Sequence, residues 1–395
     1  MLEKNGHRNE VSKLWHISHV RNAFYQIVIV LCVVSVGYYL YSNTQHNLAK
    51  QNIATGFSFL ELEAGFEISD TTIEYWSDDS YKDALIVGVL NTFKVALIGS
   101  VLAILLGVVV GIFRLSSNWI LNKVMQTYVE VVRNIPLLLQ LFFWYALFTE
   151  VFPAVKEAWE LFPHVYLSQR GLVFPVFAEH AVWFKVFLSE LLAIVILIIM
   201  YQVFKKKRLL TGKQYSLWPW ALGLSLLFPL TTWLLGGAPD QLNIPKMQGF
   251  NFSGGMVLTP EYLSLMLGLV VYTSAFIAEI VRAGILSVDI GQWEAGRSLG
   301  LSQRQLMRLI VLPQSTKVII PPLTSQVLNL VKNSSLAIGI GYPDFVAVAN
   351  TTMNQTGQAI ELVALIMLVY LFFSLSISLF MNIYNRVNAG ELARS

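Results

Sequence analysis

Charged residues are scarce in this 395-residue chain, and cysteine is almost absent. Only 13% of the residues are charged, whereas 55% are hydrophobic and the mean hydropathy is +0.59. Soluble globular proteins average about 25% charged residues, so soluble catalytic domains, disordered tails and disulfide-rich scaffolds match this composition poorly. The single cysteine, Cys32, excludes an intrachain disulfide and a cysteine metal site. The composition predicts a polytopic membrane protein.

Several functional signatures are also missing from the sequence. The net charge of +3 is small and its basic residues are dispersed, which argues against nucleic-acid binding. The six histidines show neither an HExxH motif nor clustered ligand spacing, so no metal site is expected. No paired carboxylates and no nucleophile–base pair support catalysis, and the chain is therefore not expected to be an enzyme.

Eight segments are long and apolar enough to cross a membrane, which takes about 20 residues each. The first does not resemble a cleaved signal peptide, because the tyrosine-rich stretch 38–41 is not a small-residue cleavage site. The predicted spans are residues 23–41, 84–113, 121–149, 184–204, 216–236, 259–285, 315–341 and 358–385. The sequence therefore predicts an all-α polytopic membrane protein with eight transmembrane helices.

Lysine and arginine predict the orientation of these spans. With a cytoplasmic N-terminus, the cytoplasmic segments hold 18 basic residues and the opposite segments hold 6. Cytoplasmic loops carry an excess of lysine and arginine, so both termini are predicted to be cytoplasmic. The outer segment 42–83 is acidic and offers a surface to a soluble partner.

Charged side chains within or next to the spans are costly and often functional. Glu130 and Arg133 are spaced i,i+3 on one predicted helix, as are Glu279 and Arg282. The opposite charges within each pair can neutralise each other locally. Two interpretations stay open, namely structural pairing near a helix end or the lining of a translocation path.

Lys332 has no obvious partner nearby in the sequence. The dipeptide Pro321–Pro322, followed by Gly339 and Gly341, is predicted to interrupt its helix. Broken helices at membrane depth are tolerated where they line a cavity, so Lys332 is expected either to meet a substrate carboxylate or gate, or to make a structural contact. The stretch Asn134–Pro136 similarly predicts a kink in the third span.

The polar segment 286–314 predicts a helix–turn–helix on the cytoplasmic face. A short helix around 292–299 would end at Gly300, since glycine is favoured after a helix end. Ser302 and Gln305 form a capping box that starts a second helix. The apolar stripe of that helix would consist of Leu306, Leu309 and Ile310, and its end would be Pro313.

This segment also contains an incomplete phosphate-binding motif. Gly291 and Gly296 have the spacing of a P-loop, but Arg297 stands where the motif requires lysine. A predicted transmembrane helix precedes the motif instead of the required strand. Nucleotide binding is therefore not expected here, and if ATP drives this protein, another chain must hydrolyse it.

The same segment also contains small residues in a fixed pattern. Glu294-Ala295-Gly296 is followed after three residues by Gly300 and after nine more by Ile310-x-Leu312-Pro313. This pattern resembles the EAA loop of ABC importer permeases, with Gly296 in place of the third motif residue, alanine. In that family the loop forms the coupling helix, which docks into a groove on the ATPase subunit. The resemblance implies this role for Gln292, Glu294, Ala295, Gly296, Ser298, Gly300 and Leu301.

Other segments, which together extend over roughly residues 24–386, resemble the polar amino-acid branch of that family. They are residues 128–140, 272–285 and 332–336, and the segment 56–66 with the extra spans near 150–255 is similar to permeases of general L-amino-acid importers. In the third segment, Asn333 and Ser334 replace the Asp and Thr of the branch. The implied candidates for a translocation path or gate are Glu130, Arg133, Pro136, Gln140, Tyr272, Glu279, Arg282, Lys332, Asn333, Ser334 and Ser335.

The resemblance implies one half of an importer, with the type I ABC importer permease fold, in the bacterial inner membrane. A periplasmic binding protein would deliver an L-amino acid, with broad specificity that includes polar and acidic ones. A second related permease would pair with this chain as a heterodimer. ATPase subunits, which bind ATP and Mg, would drive alternating access, so no cofactor is expected in this chain.

The predicted organisation has five parts. They are the N-terminus, first span and periplasmic segment (1–83), core spans two and three (84–150), a periplasmic segment with two additional spans (151–258), core spans six to eight with the coupling loop (259–385), and a cytoplasmic tail (386–395).

Two other function classes fit the sequence less well than an importer permease does. An ion-coupled secondary transporter often has inverted repeats around a midplane site, but the sequence shows no convincing internal repeat, and the EAA loop would be unexplained. A non-transporting scaffold or membrane-embedded enzyme lacks any supporting motif.

Overall fold

The computed structural model describes residues 18–50, 56–212 and 215–392. Lys4, Arg8 and Lys13, which contribute to the predicted orientation, lie outside these residues, as do Lys213 and Arg394. The chain divides into two compact units. Unit 1 comprises Met1–Ile98, Gly291–Ile338 and Pro343–Ser395, and unit 2 comprises Gly99–Ile290 and Gly339–Tyr342.

The described residues are mainly helical. Their α-helices are α1 (Ser18–Lys50), α2 (Tyr81–Phe113), α3 (Trp119–Asn134), α4 (Leu137–Ala146), α5 (Val182–Thr211), α6 (Trp218–Leu235), α7 (Pro260–Leu286), α8 (Ile290–Ser298), α9 (Gln303–Leu306), α10 (Leu312–Asn333), α11 (Phe345–Thr356) and α12 (Ala359–Leu392). Short 3-10 helices lie at Ser58–Glu61, Val155–Glu157 and Ser334–Ile340, and π turns lie at Leu147–Val151 and Met307–Val311.

Six helices of the described chain are long and apolar enough to cross a membrane. They are α1, α2, α5, α6, α7 and α12. Together with the pair α3 and α4, which counts as a seventh candidate if it forms one span, they correspond to seven of the eight predicted segments. The eighth, 315–341, corresponds to α10, which is less apolar than the other helices because polar residues occupy nearly half of its positions.

The third predicted span is sharply bent. Trp119–Asn134 and Leu137–Val151 meet at an angle of 103°. Pro136 stands at the start of α4 with φ −55° and ψ 137°, and Ile135 before it is extended. Residues that precede proline are pushed out of the helical region, so the predicted kink is confirmed as a break in the helix.

The predicted interruption at Pro321–Pro322 is wrong. Both prolines lie inside α10, which continues to Asn333. Proline has a backbone φ that suits a helix, and its lost hydrogen bond is tolerated in membrane helices where other groups satisfy the freed carbonyls. The helix gives way to a 3-10 turn at Ser334–Ile340, and Gly341 follows with φ +80°.

The core of unit 1 joins the segment before α2 to α11 and α12. Its buried members are Phe59, Ala64, Tyr81, Ala84, Leu85, Phe345, Val348, Ala349 and Leu362. Asp344 caps α11 through the backbone amide of Ala347, and Gly357, with φ +73°, ends that helix. The turn at Gly357 leads directly into α12, which lets both helices contribute to one core.

Small residues allow close helix packing in unit 2. A Cβ atom added at Gly107 would collide with Ile277 of α7. A Cβ atom added at Gly111 would collide with Ala278 and Val281 of the same helix. The adjacent core contains Val110, Val129, Ala275 and Ala278. In membranes, small residues let helix backbones approach and gain van der Waals contact, so this pattern holds α2 and α3 against α7.

Eight short strands form a part of unit 2 that the all-α prediction missed. They are β1 (Trp159–Phe162), β2 (Val165–Ser168), β3 (Gly171–Phe174), β4 (Val176–Phe177), β5 (Leu242–Asn243), β6 (Lys246–Gln248), β7 (Asn251–Ser253) and β8 (Met256–Leu258). The largest sheet is antiparallel, in the order β1-β2-β3-β8. Because β3 and β8 are separated by α5 and α6, their pairing is invisible to a local sequence pattern.

Candidate functional site

The segment from α8 to the start of α10 confirms the predicted helix–turn–helix. α8 covers Ile290–Ser298, and Gly300 follows in the left-handed region with φ +73°. Ser302 and Gln305 form the complete capping box of α9. Pro313 does not end the second helix as predicted, because the π turn continues with helical backbone into α10 and places Pro313 in the first turn of that helix.

Gly296 lies at the contact between the two helices. It is buried, and a Cβ atom there would collide with the Cδ1 atoms of Leu306 and Ile310. Leu306 is fully buried, but Leu309, the third member of the predicted apolar stripe, is 61% exposed. The buried apolar stripe of the second helix is therefore narrower than predicted, because Leu309 in the π turn is exposed.

The remaining predicted coupling residues are at the surface of unit 1. Gln292, Glu294, Ala295, Ser298 and Gly300 are exposed, and Leu301 is half-buried. The Gln292 Oε1 atom accepts a weak hydrogen bond from Gln314 Nε2 at 3.4 Å, and the Ser298 hydroxyl donates to the Glu294 carbonyl at 3.0 Å. The Glu294 side chain thus stands on a packed helix pair and is accessible to a partner.

An ionic cluster in unit 2 confirms one of the two predicted local pairs. Arg282 Nη2 donates to Glu279 Oε1 at 2.7 Å, and Arg114 Nη1 donates to Glu279 Oε2. Arg114 directly follows α2, so the carboxylate joins the end of that helix to α7. The sequence could have suggested Arg114 only as a base at a span end, because 165 residues separate it from Glu279.

The second predicted pair is not formed in the described structure. Glu130 Oε1 accepts a hydrogen bond from Gln126 Nε2 at 2.6 Å, while the guanidinium of Arg133 lies 5.0 Å from the ring centroid of Phe276. The neighbouring Tyr272 ring is 5.0 Å from that of Phe276. Both charged side chains are exposed in this chain, so they remain available to a ligand or a partner.

Gln140 supports the break between α3 and α4. It is 8% exposed, and its Nε2 atom donates to the carbonyls of Val132 at 2.9 Å and Ile135 at 3.0 Å. Those carbonyls lie at the end of α3, where the helix stops providing partners. Gln140 therefore has a structural contact in this conformation, whereas Pro136 at the break is exposed.

The Lys332 segment lies at the end of α10 in unit 1. Lys332 is exposed, Asn333 and Ser335 are half-buried, and Ser334 is fully buried. The hydroxyls of Ser334 and Ser335 donate to the carbonyls of Val331 and Lys332, both at 2.7 Å. The serines thus stabilise the helix end and leave the ammonium group of Lys332 at the surface.

A buried polar network in unit 1 was not predicted. Asn91 is fully buried; its Nδ2 atom donates to the carbonyls of Asp70 and Pro343, and its Oδ1 atom accepts from the Thr72 hydroxyl. Lys94 Nζ lies 3.1 Å from Asp70 Oδ1. Polar residues inside the apolar run of α2 were the available signal, but their partners are distant in sequence.

Asp344 belongs to the same region. It is fully buried, and its carboxylate accepts hydrogen bonds from the Ala347 amide at 2.8 Å and the Tyr370 hydroxyl at 3.2 Å. Burial raises the pKa of the Asp344 carboxyl to about 6, and the two hydrogen bonds act in the opposite direction. An aspartate just before an apolar helix predicts that its side chain caps the helix, but it does not predict that this side chain is buried.

Comparisons with known proteins extend this description. Residues 216–389 match the family described as "Binding-protein-dependent transport system inner membrane component". The amino-acid ABC transporter permease protein YhdX of Escherichia coli (strain K12) is 47% identical over 93% of this chain and 94% of its own length. The general L-amino acid transport system permease protein AapQ of Rhizobium johnstonii is 45% identical over 92% and 91%.

A third relative is the glutamate/glutamine/aspartate/asparagine transport system permease protein BztB of Rhodobacter capsulatus. It is 38% identical over 95% of both chains. Such identity over nearly the whole length includes the β-strand segments and the additional helices as well as the segment that matches the family. This chain therefore belongs to the family of amino-acid ABC transporter permeases.

Proposed function

We propose that this chain forms one half of the translocation pathway of an importer for L-amino acids, with broad specificity that includes polar and acidic ones. The names of AapQ and BztB support this substrate class. ATP hydrolysis occurs on a separate subunit, and a second related permease completes the pathway. A periplasmic binding protein delivers the amino acid at the bacterial inner membrane.

The observation that carries the proposal is the accessible face of α8. Glu294 and its exposed neighbours stand on a helix pair that is held by Gly296, Leu306 and the capping box. A rigid helix with small residues at its surface can enter a groove closely, and a carboxylate can pair with a cation there. This face therefore transmits the motion of the ATPase subunits.

The experiment is gentle purification of the tagged full chain from its native membrane. We expect an ATPase subunit, a second permease and a binding protein in the same sample, and ATP hydrolysis that amino acids stimulate. A chain that purifies alone and moves solute only on an ion gradient would overturn the proposal in favour of a secondary transporter.

The Glu294→Ala variant tests the coupling role. We expect reduced ATPase association or reduced coupled uptake, whereas the matched variant Gln303→Ala, which alters an exposed side chain on α9, should behave like wild type. Normal uptake with intact stimulation in Glu294→Ala would remove Glu294 from the coupling face.

We further propose that the exposed ammonium of Lys332 meets the substrate carboxylate or holds a gate. The Lys332→Ala variant is then expected to raise the KM for uptake, because a charge-assisted contact is lost. Unchanged uptake would leave Lys332 as a structural residue.

A further inference from the structure

The turn between α5 and α6 concentrates basic residues and contains no acidic ones. Residues 205–208 read Lys-Lys-Lys-Arg, and Lys213 follows. Between Glu190 and Asp240 the sequence contains neither aspartate nor glutamate. The other basic residues of this region, such as Lys156, are instead interspersed with acids. The turn therefore contains several bases and no acidic residue of its own.

The length of α5 places this charge at the surface of a bilayer. Lys185 and Lys205 are 20 residues apart on one helix, which corresponds to about 30 Å along its axis. The hydrocarbon core of a membrane is also about 30 Å thick. When Lys185 lies at one surface, residues 205–208 consequently lie in the headgroup layer of the other.

Exposed aromatic residues accompany the bases at the same end of the hairpin. Trp218 and Trp220 at the start of α6 are 71% and 53% exposed, and Lys206, Lys207 and Arg208 are exposed as well. Tryptophan favours the membrane–water interface, and long basic side chains extend toward the headgroups. We call residues 205–208 with Trp218 and Trp220 the basic tip.

The structure of the hairpin holds the basic tip together. The rings of Phe204 and Tyr215 lie 5.5 Å apart across the turn, and Gly212 ends α5 in the left-handed region with φ +69°. The apolar parts of α5 and α6 are only 11% and 0% buried within the chain. The hairpin surface is thus available to lipid along its length.

Two simpler explanations account for less of this pattern. Bases at the end of a helix interact favourably with its dipole, and bases beside a span orient it. Neither requires consecutive bases within an acid-free stretch. We propose that the basic tip is a binding site for the headgroups of anionic phospholipids, a role that does not depend on the proposed importer function.

The test compares phospholipid binding to the full chain in detergent, with native mass spectrometry counting bound phosphatidylglycerol and phosphatidylcholine. Each base near a membrane surface contributes about 1 kcal/mol, or about fivefold in affinity. The variant K205Q/K206Q/K207Q/R208Q is therefore expected to lose a preference for phosphatidylglycerol of roughly tenfold or more.

Two matched variants sharpen the result. K156Q/R170Q/K246Q removes three exposed bases from the strand-containing segments of unit 2 and should keep the preference. K205R/K206R/K207R keeps the charge and should keep it too. The proposal would be overturned if the first control variant lost the preference for phosphatidylglycerol to the same extent. It would also be overturned if K205Q/K206Q/K207Q/R208Q retained that preference.

Wild-type protein provides an independent arm that needs no variant. Preference for phosphatidylglycerol should fall as salt is raised from low to molar concentration, because exposed charges are screened. Inorganic phosphate at matched ionic strength should not displace the lipid. A preference that salt does not change, or displacement by phosphate itself, would show that anionic headgroups are not the ligand.

Discussion

Asp344 shows how a single buried residue can make a membrane protein sensitive to pH. Its carboxyl is fully buried, caps α11 and accepts a hydrogen bond from Tyr370. Burial favours the neutral acid, so the pKa of Asp344 rises from an ordinary 3.8 to about 6. Unfolding would return this group to water and to its ordinary pKa.

The first prediction follows from this difference. Between about pH 4 and pH 6 the folded chain holds a proton on Asp344 that the unfolded chain has released, so stability falls as the pH rises through this window. Thermal unfolding of the full chain should show this loss, whereas Asp344→Asn should reduce it, since its amide does not titrate. An identical pH dependence in both proteins would remove Asp344 as the cause.

Glu279 illustrates how a local pattern and a distant contact combine. Its i,i+3 partner Arg282 is evident in the sequence, whereas Arg114 is brought to it only by the packing of α2 on α7. One carboxylate therefore compensates two guanidinium groups.

The second prediction concerns this cluster. Glu279→Gln should destabilise the chain more than Arg282→Gln, by about 1–3 kcal/mol, because it leaves both guanidinium groups without their shared carboxylate. Chemical denaturation in detergent, followed by tryptophan fluorescence, measures both variants. Equal stabilities would show that solvent or lipid compensates the charges.

At the scale of elements, the broken third span depends on one amide side chain. Gln140 donates to the last carbonyls of α3, which an apolar environment would otherwise leave unsatisfied. Unpaired backbone groups are expensive in a membrane, so the side chain and the bend form one structural feature.

The third prediction is that Gln140→Leu destabilises the chain by about 1–3 kcal/mol for the polar groups left unpaired. The matched variant Leu139→Met, at the exposed neighbouring position, should be close to neutral. Thermal stability in one detergent compares the two variants. A stable Gln140→Leu protein would indicate that α3 and α4 have other partners at the bend.

The helix pair around Gly296 gives the fourth prediction. Gly296→Ala should be tolerated, because the atoms it meets are the flexible ends of Leu306 and Ile310, while Gly296→Val should displace α9 from α8. Limited proteolysis at the α8–α9 turn measures the displacement. Gly300→Ala serves as a comparison, since it introduces backbone strain at φ +73° but no collision. Equal protection of Gly296→Val and wild type would contradict this packing argument.

At the scale of the whole molecule, the number of spans determines on which side of the membrane each terminus lies. α10 is amphipathic rather than uniformly apolar, so composition does not settle whether residues 315–341 cross the membrane. Eight spans place the two termini on the same side, and seven place them on opposite sides.

The fifth prediction is that both termini are cytoplasmic. Single cysteines near each end, in a Cys32→Ser background, should be equally protected from an impermeant thiol reagent in intact cells. A cysteine at Ser77, between α1 and α2, should react. Labelling at only one terminus would show that one predicted span does not cross.

Local sequence patterns predicted many helices, breaks and caps of this protein, because interactions between residues that are close in the sequence determine these features. Apolar length predicted α2, α6 and α7 to within a few residues. Pro136 correctly predicted the break in the third span, and the capping box correctly predicted the start of α9. Two local patterns predicted the wrong outcome: Pro321–Pro322 remain helical, and Glu130 does not pair with Arg133, whose guanidinium lies instead over the ring of Phe276.

The sequence by itself determined the membrane class, most of the spans, the helix–turn–helix with Gly300 and the resemblance to importer permeases, because these follow from composition, spacing and short-range conformation. Only the tertiary structure decided the β3–β8 pairing, the contact of Arg114 with Glu279 and the burial of Asn91 and Asp344. Each of these joins residues that are distant in the chain, and packing in three dimensions determines which polar group meets which.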